Sequence, residues 1–82
     1  MPKFDLEHIF TYHAPTPEKL EQYQKIRDAA KDFALVILEN APPGADVSTC
    51  MRRIREVVMT ANAAIALDGR LFEEKRQILS NK

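Results

Sequence analysis

The sequence is short of cysteine, glycine, tryptophan and net charge, and each scarcity excludes a class of protein. Cys50 is the only cysteine, so no internal disulfide can form. With no signal peptide either, we expect a reducing, intracellular setting. Gly44 and Gly69 are the only glycines, too few for a phosphate-binding glycine-rich loop. Twelve basic residues balance twelve acidic ones, which disfavours DNA binding. No apolar run approaches the roughly 18 residues of a membrane span.

Catalytic and metal-binding patterns are also missing from the sequence. His8 and His13 stand near one another, but no cysteine or carboxylate pattern typical of metal ligands accompanies them. Cys50 falls on the apolar stripe of a predicted helix, where a small core residue is expected. We therefore predict that the protein is not an enzyme and that it needs neither a metal nor a cofactor.

Two long stretches have the periodicity of α-helices. Thr16 is a good N-cap and Pro17 suits the first helical position, and the apolar residues that follow predict a helix over 17–39. Residues 40–46 contain two prolines and a glycine and end that helix. A second periodic stretch predicts a helix over 47–68. A short linker between helices of matched length favours an antiparallel hairpin.

The two flanking segments complete a single all-α domain. Residues 1–15 are predicted to form a leader with a short amphipathic helix, and Pro15 forces a turn before the first long helix. Gly69 is the expected left-handed terminator of the second long helix. Residues 70–82 are a charged tail, predicted to form either a short frayed third helix or a mobile tail.

Two apolar bands exceed what one helical hairpin can bury. Residues 33–38 and 63–67 are apolar on every side of their helices, and such helices are normally buried on every side. The leader begins beside the end of the second helix and can cover residues 63–67. Nothing in the chain is placed to cover residues 33–38, so we predict a homo-oligomer. Asn62, among small residues, is predicted to be buried and to fix the register of a helix contact.

Some side chains leave two interpretations open. Tyr12 precedes the Thr16 cap, where an aromatic ring could stack on a base while a cation holds phosphate, or could instead pack the leader onto the hairpin. Arg27 and Lys31 share one helix face and could bind an anion, or could pair locally with neighbouring aspartates such as Asp28.

Three segments in order resemble a known family. They are residues 12–18 (YHAPTPE), 26–34 (IRDAAKDFA) and 59–67 (MTANAAIAL). Together they are similar to the phage anti-CBASS cyclic-oligonucleotide sponges, a resemblance that covers about residues 9–69. Proteins of that family are small helical hairpins made by bacteriophages. They sequester the cyclic di- and trinucleotides of bacterial CBASS immunity without cleaving them, as compact homo-oligomers that are typically hexamers.

The resemblance implies a binding function in the cytoplasm of an infected bacterial host, with cyclic oligonucleotides such as cyclic GMP-AMP as ligands. Tyr12 and Arg27 fall where the family carries an aromatic residue and a cation needed for cyclic dinucleotide binding. Their neighbours His13, Thr16 and Lys31 complete the implied site.

A cyclic trinucleotide site is also implied, at a position where this chain departs from its relatives. Relatives often carry an arginine where this sequence has Ala66 and Leu67, and Arg70 is the nearest cation. Arg70 is therefore the residue expected to contact a trinucleotide. The alternative to a nucleotide sponge is a helical oligomeric adaptor that binds a host protein through its apolar bands.

Overall fold

A computed structural model of the protein describes residues 3–73, so the predictions for 74–82 lie outside the described residues. It contains three helices: α1 (Leu6–Phe10), α2 (Pro17–Asn40) and α3 (Ala45–Ala66). The two long helices, α2 and α3, pack on each other as an antiparallel hairpin. No β-strand occurs within residues 3–73. The predicted all-α hairpin with a short N-terminal helix is thus confirmed.

The helix α2 starts and ends at the residues that local chemistry favours. The Thr16 side chain accepts a hydrogen bond from the backbone N–H of Lys19 at 3.1 Å, and Pro17 occupies the first turn. At the other end, the Ala41 N–H donates to the Ile37 carbonyl at 2.8 Å, and the next two residues are prolines. With 24 residues, α2 is about 36 Å long.

The helix α3 lies two residues earlier in the chain than the predicted range 47–68, because it starts at Ala45 and ends at Ala66. Its end forms a Schellman motif, in which the N–H of Gly69 donates to the Ala64 carbonyl at 2.8 Å. Asp68 has a φ of 54° and Gly69 a φ of 73°. The left-handed terminator is therefore Asp68, with Gly69 following it in the same region. A short polar side chain tolerates that conformation, so glycine is not required there.

The start and end of the described chain pair with each other. The Asp5 N–H donates to the Leu71 carbonyl at 2.9 Å, and the Glu73 N–H donates to the Lys3 carbonyl at 2.8 Å. Between these bonds, the rings of Phe4 and Phe72 stack with centroids 4.8 Å apart. We call residues 3–5 and 70–73 the terminal clasp. The first residues of the predicted tail are thus extended rather than helical.

Burial is sparse within the described chain. Leu67, at 8% exposure, is the one hydrophobic side chain that is buried among residues 3–73. Residues 33–38 lack cover within the chain, as predicted: Phe33 is 59% exposed and Leu38 is 55% exposed. The prediction of a buried Asn62 is wrong for the single chain, where the residue is half-buried. Its Oδ1 atom is nevertheless covered and has no hydrogen-bond partner among the described residues. Within residues 3–73, no helix combines the length and apolar character that a membrane crossing requires.

Candidate functional site

Tyr12 lies in an extended connection between two capped helices. The Thr11 N–H caps the end of α1 by donating a hydrogen bond to the Glu7 carbonyl at 3.1 Å, and Thr16 is the N-cap of α2. Between these caps Tyr12 is 82% exposed. The alternative that this ring packs the leader onto its own hairpin is therefore wrong for the single chain. We call residues 11–16 the Tyr12 segment.

His13 and Thr16 flank Tyr12 and are both engaged with backbone groups. The His13 Nε2 lies 2.6 Å from the carbonyl oxygen of His8. Because a carbonyl can only accept, this nitrogen must carry the proton and donate. The Thr16 Oγ1 is held by the Lys19 N–H, but its own hydroxyl proton stays available for a further acceptor. His13 thus ties the Tyr12 segment back to α1.

Arg27 and Lys31 lie on exposed positions of α2. The Arg27 guanidinium donates to the Gln24 Oε1 at 3.1 Å, and the Gln24 amide donates in turn to the Asp28 carboxylate at 2.8 Å. Gln24 therefore bridges the arginine and the aspartate, and Arg27 forms no direct ion pair with Asp28. Lys31 forms no ion pair within the part of the chain that the structure describes.

The residues that the sequence assigns to the dinucleotide site form two groups. Tyr12, His13 and Thr16 cluster at the start of α2. Arg27 lies ten residues beyond Pro17, which is about 15 Å along the helix axis, with Lys31 a further turn away. The fold of a single chain thus keeps the aromatic group and the cationic group apart.

Arg70, the residue expected at a trinucleotide site, is engaged at the terminal clasp. Its Nη1 lies 2.7 Å from the Asp5 Oδ2 and also donates to the Phe72 carbonyl at 3.1 Å. Asp5 caps α1 by accepting the His8 N–H at 3.0 Å. The hydrogen bond from Arg70, followed by the one from the His8 N–H, lowers the pKa of the Asp5 carboxyl below its ordinary value. Arg70 borders an open cleft of about 650 Å³ that Leu67 also lines.

Sequence reasoning missed two further contacts at the end of α3. The Lys19 Nζ forms an ion pair with the Asp68 Oδ1 at 3.1 Å, and the His8 Nε2 donates to the Leu67 carbonyl at 2.9 Å. Asp5 could have been recognised as an N-cap from its place before Leu6, but its pairing with Arg70 has no local signal. Within the described residues, no group of three potential metal ligands is found.

Comparison with known proteins identifies a family. The family model described as "Acb2/Tad1, hairpin domain" matches residues 3–66, which include all three helices together with Tyr12 and Arg27. Neither the curated proteins nor the solved structures gave a match. The matched region ends before Leu67, so the Asp68 turn and the second half of the terminal clasp lie beyond it.

Proposed function

Because the chain belongs to the Acb2/Tad1 hairpin family, which is the anti-CBASS sponge family, we propose that it captures cyclic di- and trinucleotide immune signals without cleaving them. It would act in the cytoplasm of a bacterium infected by a phage. The observation that carries this proposal is the family match over residues 3–66. That family binds its nucleotides as a sponge rather than turning them over as an enzyme.

The exposure of Tyr12 supports its assignment to the dinucleotide site. A residue that is 82% exposed has most of its surface open to solvent, and an aromatic face stacks on any nucleobase. Arg27 is exposed as well, and its contact is with the neutral amide of Gln24. A phosphate could take that place without breaking an ion pair. Further ligand contacts would come from His13 and Thr16 beside Tyr12, and from Lys31 beside Arg27.

The 15 Å along α2 between the aromatic and cationic groups favours a site between protomers. The leader is anchored at the start of α2 rather than along it, because His8 contacts Leu67 and Lys19 contacts Asp68. We therefore propose that Tyr12 of one protomer faces Arg27 of another. A cyclic dinucleotide has two bases and two phosphates, so a two-fold interface would present matching pairs of both residues.

The energies of these contacts make oligomerisation part of the function. Stacking contributes about 1–3 kcal/mol per base. A charge-assisted hydrogen bond contributes about 1.5–3 kcal/mol. Nanomolar affinity requires about 12 kcal/mol. Two tyrosines and two arginines approach this value only when all four act together, which one protomer cannot provide. We propose a homohexamer, as in the family resemblance, because it supplies several such interfaces.

Capture and release of an intact ligand tests the proposal directly. The purified protein is incubated with cyclic GMP-AMP or a cyclic trinucleotide, separated from unbound nucleotide, heated to unfold, and the released nucleotide is analysed by chromatography. Intact nucleotide is the expected result. Degraded nucleotide would mean that the protein is an enzyme, and no capture of either class would reject the sponge.

The adaptor remains the second candidate function because of the exposed apolar band over 33–38. Leu35 and Val36 are each 53% exposed within one chain, so this surface needs a partner of some kind. In a sponge that partner is another copy of the chain. In an oligomeric adaptor, apolar surface of this kind also binds a host protein, and the purified protein would then capture no nucleotide.

A further inference from the structure

The turn that follows α3 contacts both sides of the Tyr12 segment. On the upstream side, the His8 Nε2 donates to the Leu67 carbonyl at 2.9 Å. Arg70 binds Asp5, the N-cap of α1, at 2.7 Å. On the downstream side, Lys19 in the first turn of α2 forms an ion pair with Asp68 at 3.1 Å. Residues 67–70 therefore hold both α1 and the start of α2, which are the two elements that the Tyr12 segment connects.

A pair of histidines extends this anchoring to the residue next to Tyr12. His8 makes its contact to Leu67 through the side chain, and its backbone carbonyl accepts the proton of His13 Nε2 at 2.6 Å. The two imidazole rings meet edge to face, with centroids 4.8 Å apart. A continuous set of contacts thus runs from Arg70 through Asp5, α1 and His13 to the backbone that carries Tyr12.

We infer that Arg70 and Asp5 are positioning residues, which set the orientation of Tyr12 through the terminal clasp without touching the cyclic dinucleotide. The inference rests on the proposed role of Tyr12 in binding. Of the two residues, Asp5 lies within the family match and Arg70 lies beyond its end at residue 66.

The exposure of Tyr12 is the physical reason why such anchoring matters. At 82% exposure, the residue has little surface in contact with its own chain, so its direction depends on the backbone of residues 11–16. A segment whose backbone is already fixed loses less conformational entropy when its ring stacks on a base, and such preorganisation raises affinity. Releasing the clasp should cost affinity even though no ligand contact is removed.

A double-mutant cycle separates positioning from direct contact. If the clasp positions Tyr12, Arg70→Ala and Asp5→Asn should each weaken cyclic GMP-AMP binding by about three- to tenfold, and the double variant should lose no more than either single variant. If Arg70 instead touches a phosphate, Arg70→Ala alone should lose affinity. Asp5→Asn would then retain or increase it, because the guanidinium is released. That second pattern would overturn the inference.

A Tyr12→Ala background separates positioning from general destabilisation. Once the ring is gone, releasing the clasp should cost less affinity than in the native background, so Arg70→Ala should have a smaller effect in Tyr12→Ala than alone. An equal loss in both backgrounds would overturn the inference. The matched control is Glu56→Gln, which breaks the exposed Arg53–Glu56 pair at 3.1 Å on α3 and should leave binding unchanged.

A measurement without nucleotide keeps the inference testable if the proposed function fails. The chain has two tyrosines, so a Tyr23→Phe variant labelled with 3-fluorotyrosine carries its only fluorine at position 12. Arg70→Ala and Asp5→Asn should both shift and narrow this resonance, while Glu56→Gln should not. An unchanged resonance would reject positioning. A changed resonance in a protein that captures no nucleotide would reject the sponge and leave the positioning intact.

Discussion

The two ends of the hairpin are held together in different ways. At the end where the chain termini meet, contacts join residues far apart in sequence, such as Asp5 with Arg70 and Lys19 with Asp68. At the end around the loop 41–44, the hydrogen bonds link residues only three or four positions apart, such as Asn40 with Val36 and Thr49 with Ala45. We call these the terminal end and the loop end.

This difference indicates that the two ends have different roles. Directed hydrogen bonds and ion pairs have fixed geometry, so the terminal end can hold the Tyr12 segment in one orientation. Among the described residues, the loop end joins α2 and α3 by apolar packing without a side-chain hydrogen bond between the helices, and it leaves side chains such as Phe33 and Leu38 mostly exposed, at 59% and 55%. Exposed apolar surface of this kind is typical of an interface. We therefore expect the terminal end to shape the proposed ligand site and the loop end to contact another protomer.

The largest effect is expected from a charge at the loop end. Leu38→Glu should dissociate the oligomer or precipitate the protein, because it places a carboxylate in the apolar band that needs a partner. Ile37→Glu should do the same and also weaken the hairpin, since Ile37 is half-buried and lines a groove between α2 and α3. Multi-angle light scattering at micromolar concentration measures the change.

A matched control for that prediction is Glu39→Lys, which alters charge at an exposed neighbouring position without touching the band. It should leave the native assembly intact. A native protein that scatters as a monomer at micromolar concentration, or a Leu38→Glu variant with the native mass, would contradict the assignment of the loop end to assembly.

The next largest effect concerns the ligand site. In the proposed site, Tyr12→Ala would remove base stacking and Arg27→Ala would remove a phosphate contact, so each should weaken cyclic dinucleotide binding by at least tenfold. Both residues are exposed in the single chain, so helicity should not change. Calorimetry gives the affinity, and a size-exclusion profile of each variant shows whether the oligomer persists. Native affinity in both variants would place the site elsewhere, and a broken oligomer would make these residues structural.

A smaller effect is expected at Asn62 on α3. Its covered Oδ1 accepts no hydrogen bond within the described chain. Leaving a buried acceptor without a donor costs about 1–3 kcal/mol of stability. We expect a neighbouring protomer to supply one. Asn62→Leu should then keep the helicity but broaden the distribution of oligomers in native mass spectrometry. A single unchanged species would show that Asn62 takes no part in assembly.

The helices of this fold could be predicted because their signals are local. Thr16 and Pro17 mark the start of α2, and two prolines with a glycine mark the loop. The end of α3 was less accessible. Asp68 and Gly69 both tolerate a left-handed backbone, and the sequence pattern favoured the glycine although the aspartate takes the terminating position.

The contacts around the site could not be predicted because they are not periodic. Arg70 was expected to bind a ligand, and no spacing rule connects it with Asp5, 65 residues away. Tyr12 was singled out by its place before a helix cap, which is a local signal. In the proposed site, the position of Tyr12 relative to Arg27 would depend on how protomers meet, which the sequence of one chain does not encode in any local pattern.

The smallest effect should appear at acid pH, and it tests the terminal end alone. The Arg70 hydrogen bond and the His8 N–H hold the pKa of Asp5 below its ordinary value of 3.8 in the folded protein. A lowered pKa means that the carboxylate stabilises the folded clasp above about pH 4 and that this contribution is lost as the pH falls through the folded pKa. The fluorine resonance at Tyr12 should therefore move toward its position in Arg70→Ala as the solution is acidified below pH 4. Asp5→Asn retains an N-cap for α1 but has no carboxyl to titrate, so its resonance should already lie near that position and lack the acid step. A native resonance that stays constant while carboxyl NMR shows Asp5 becoming protonated and circular dichroism shows the helices persisting would mean that the Asp5–Arg70 pair does not orient Tyr12.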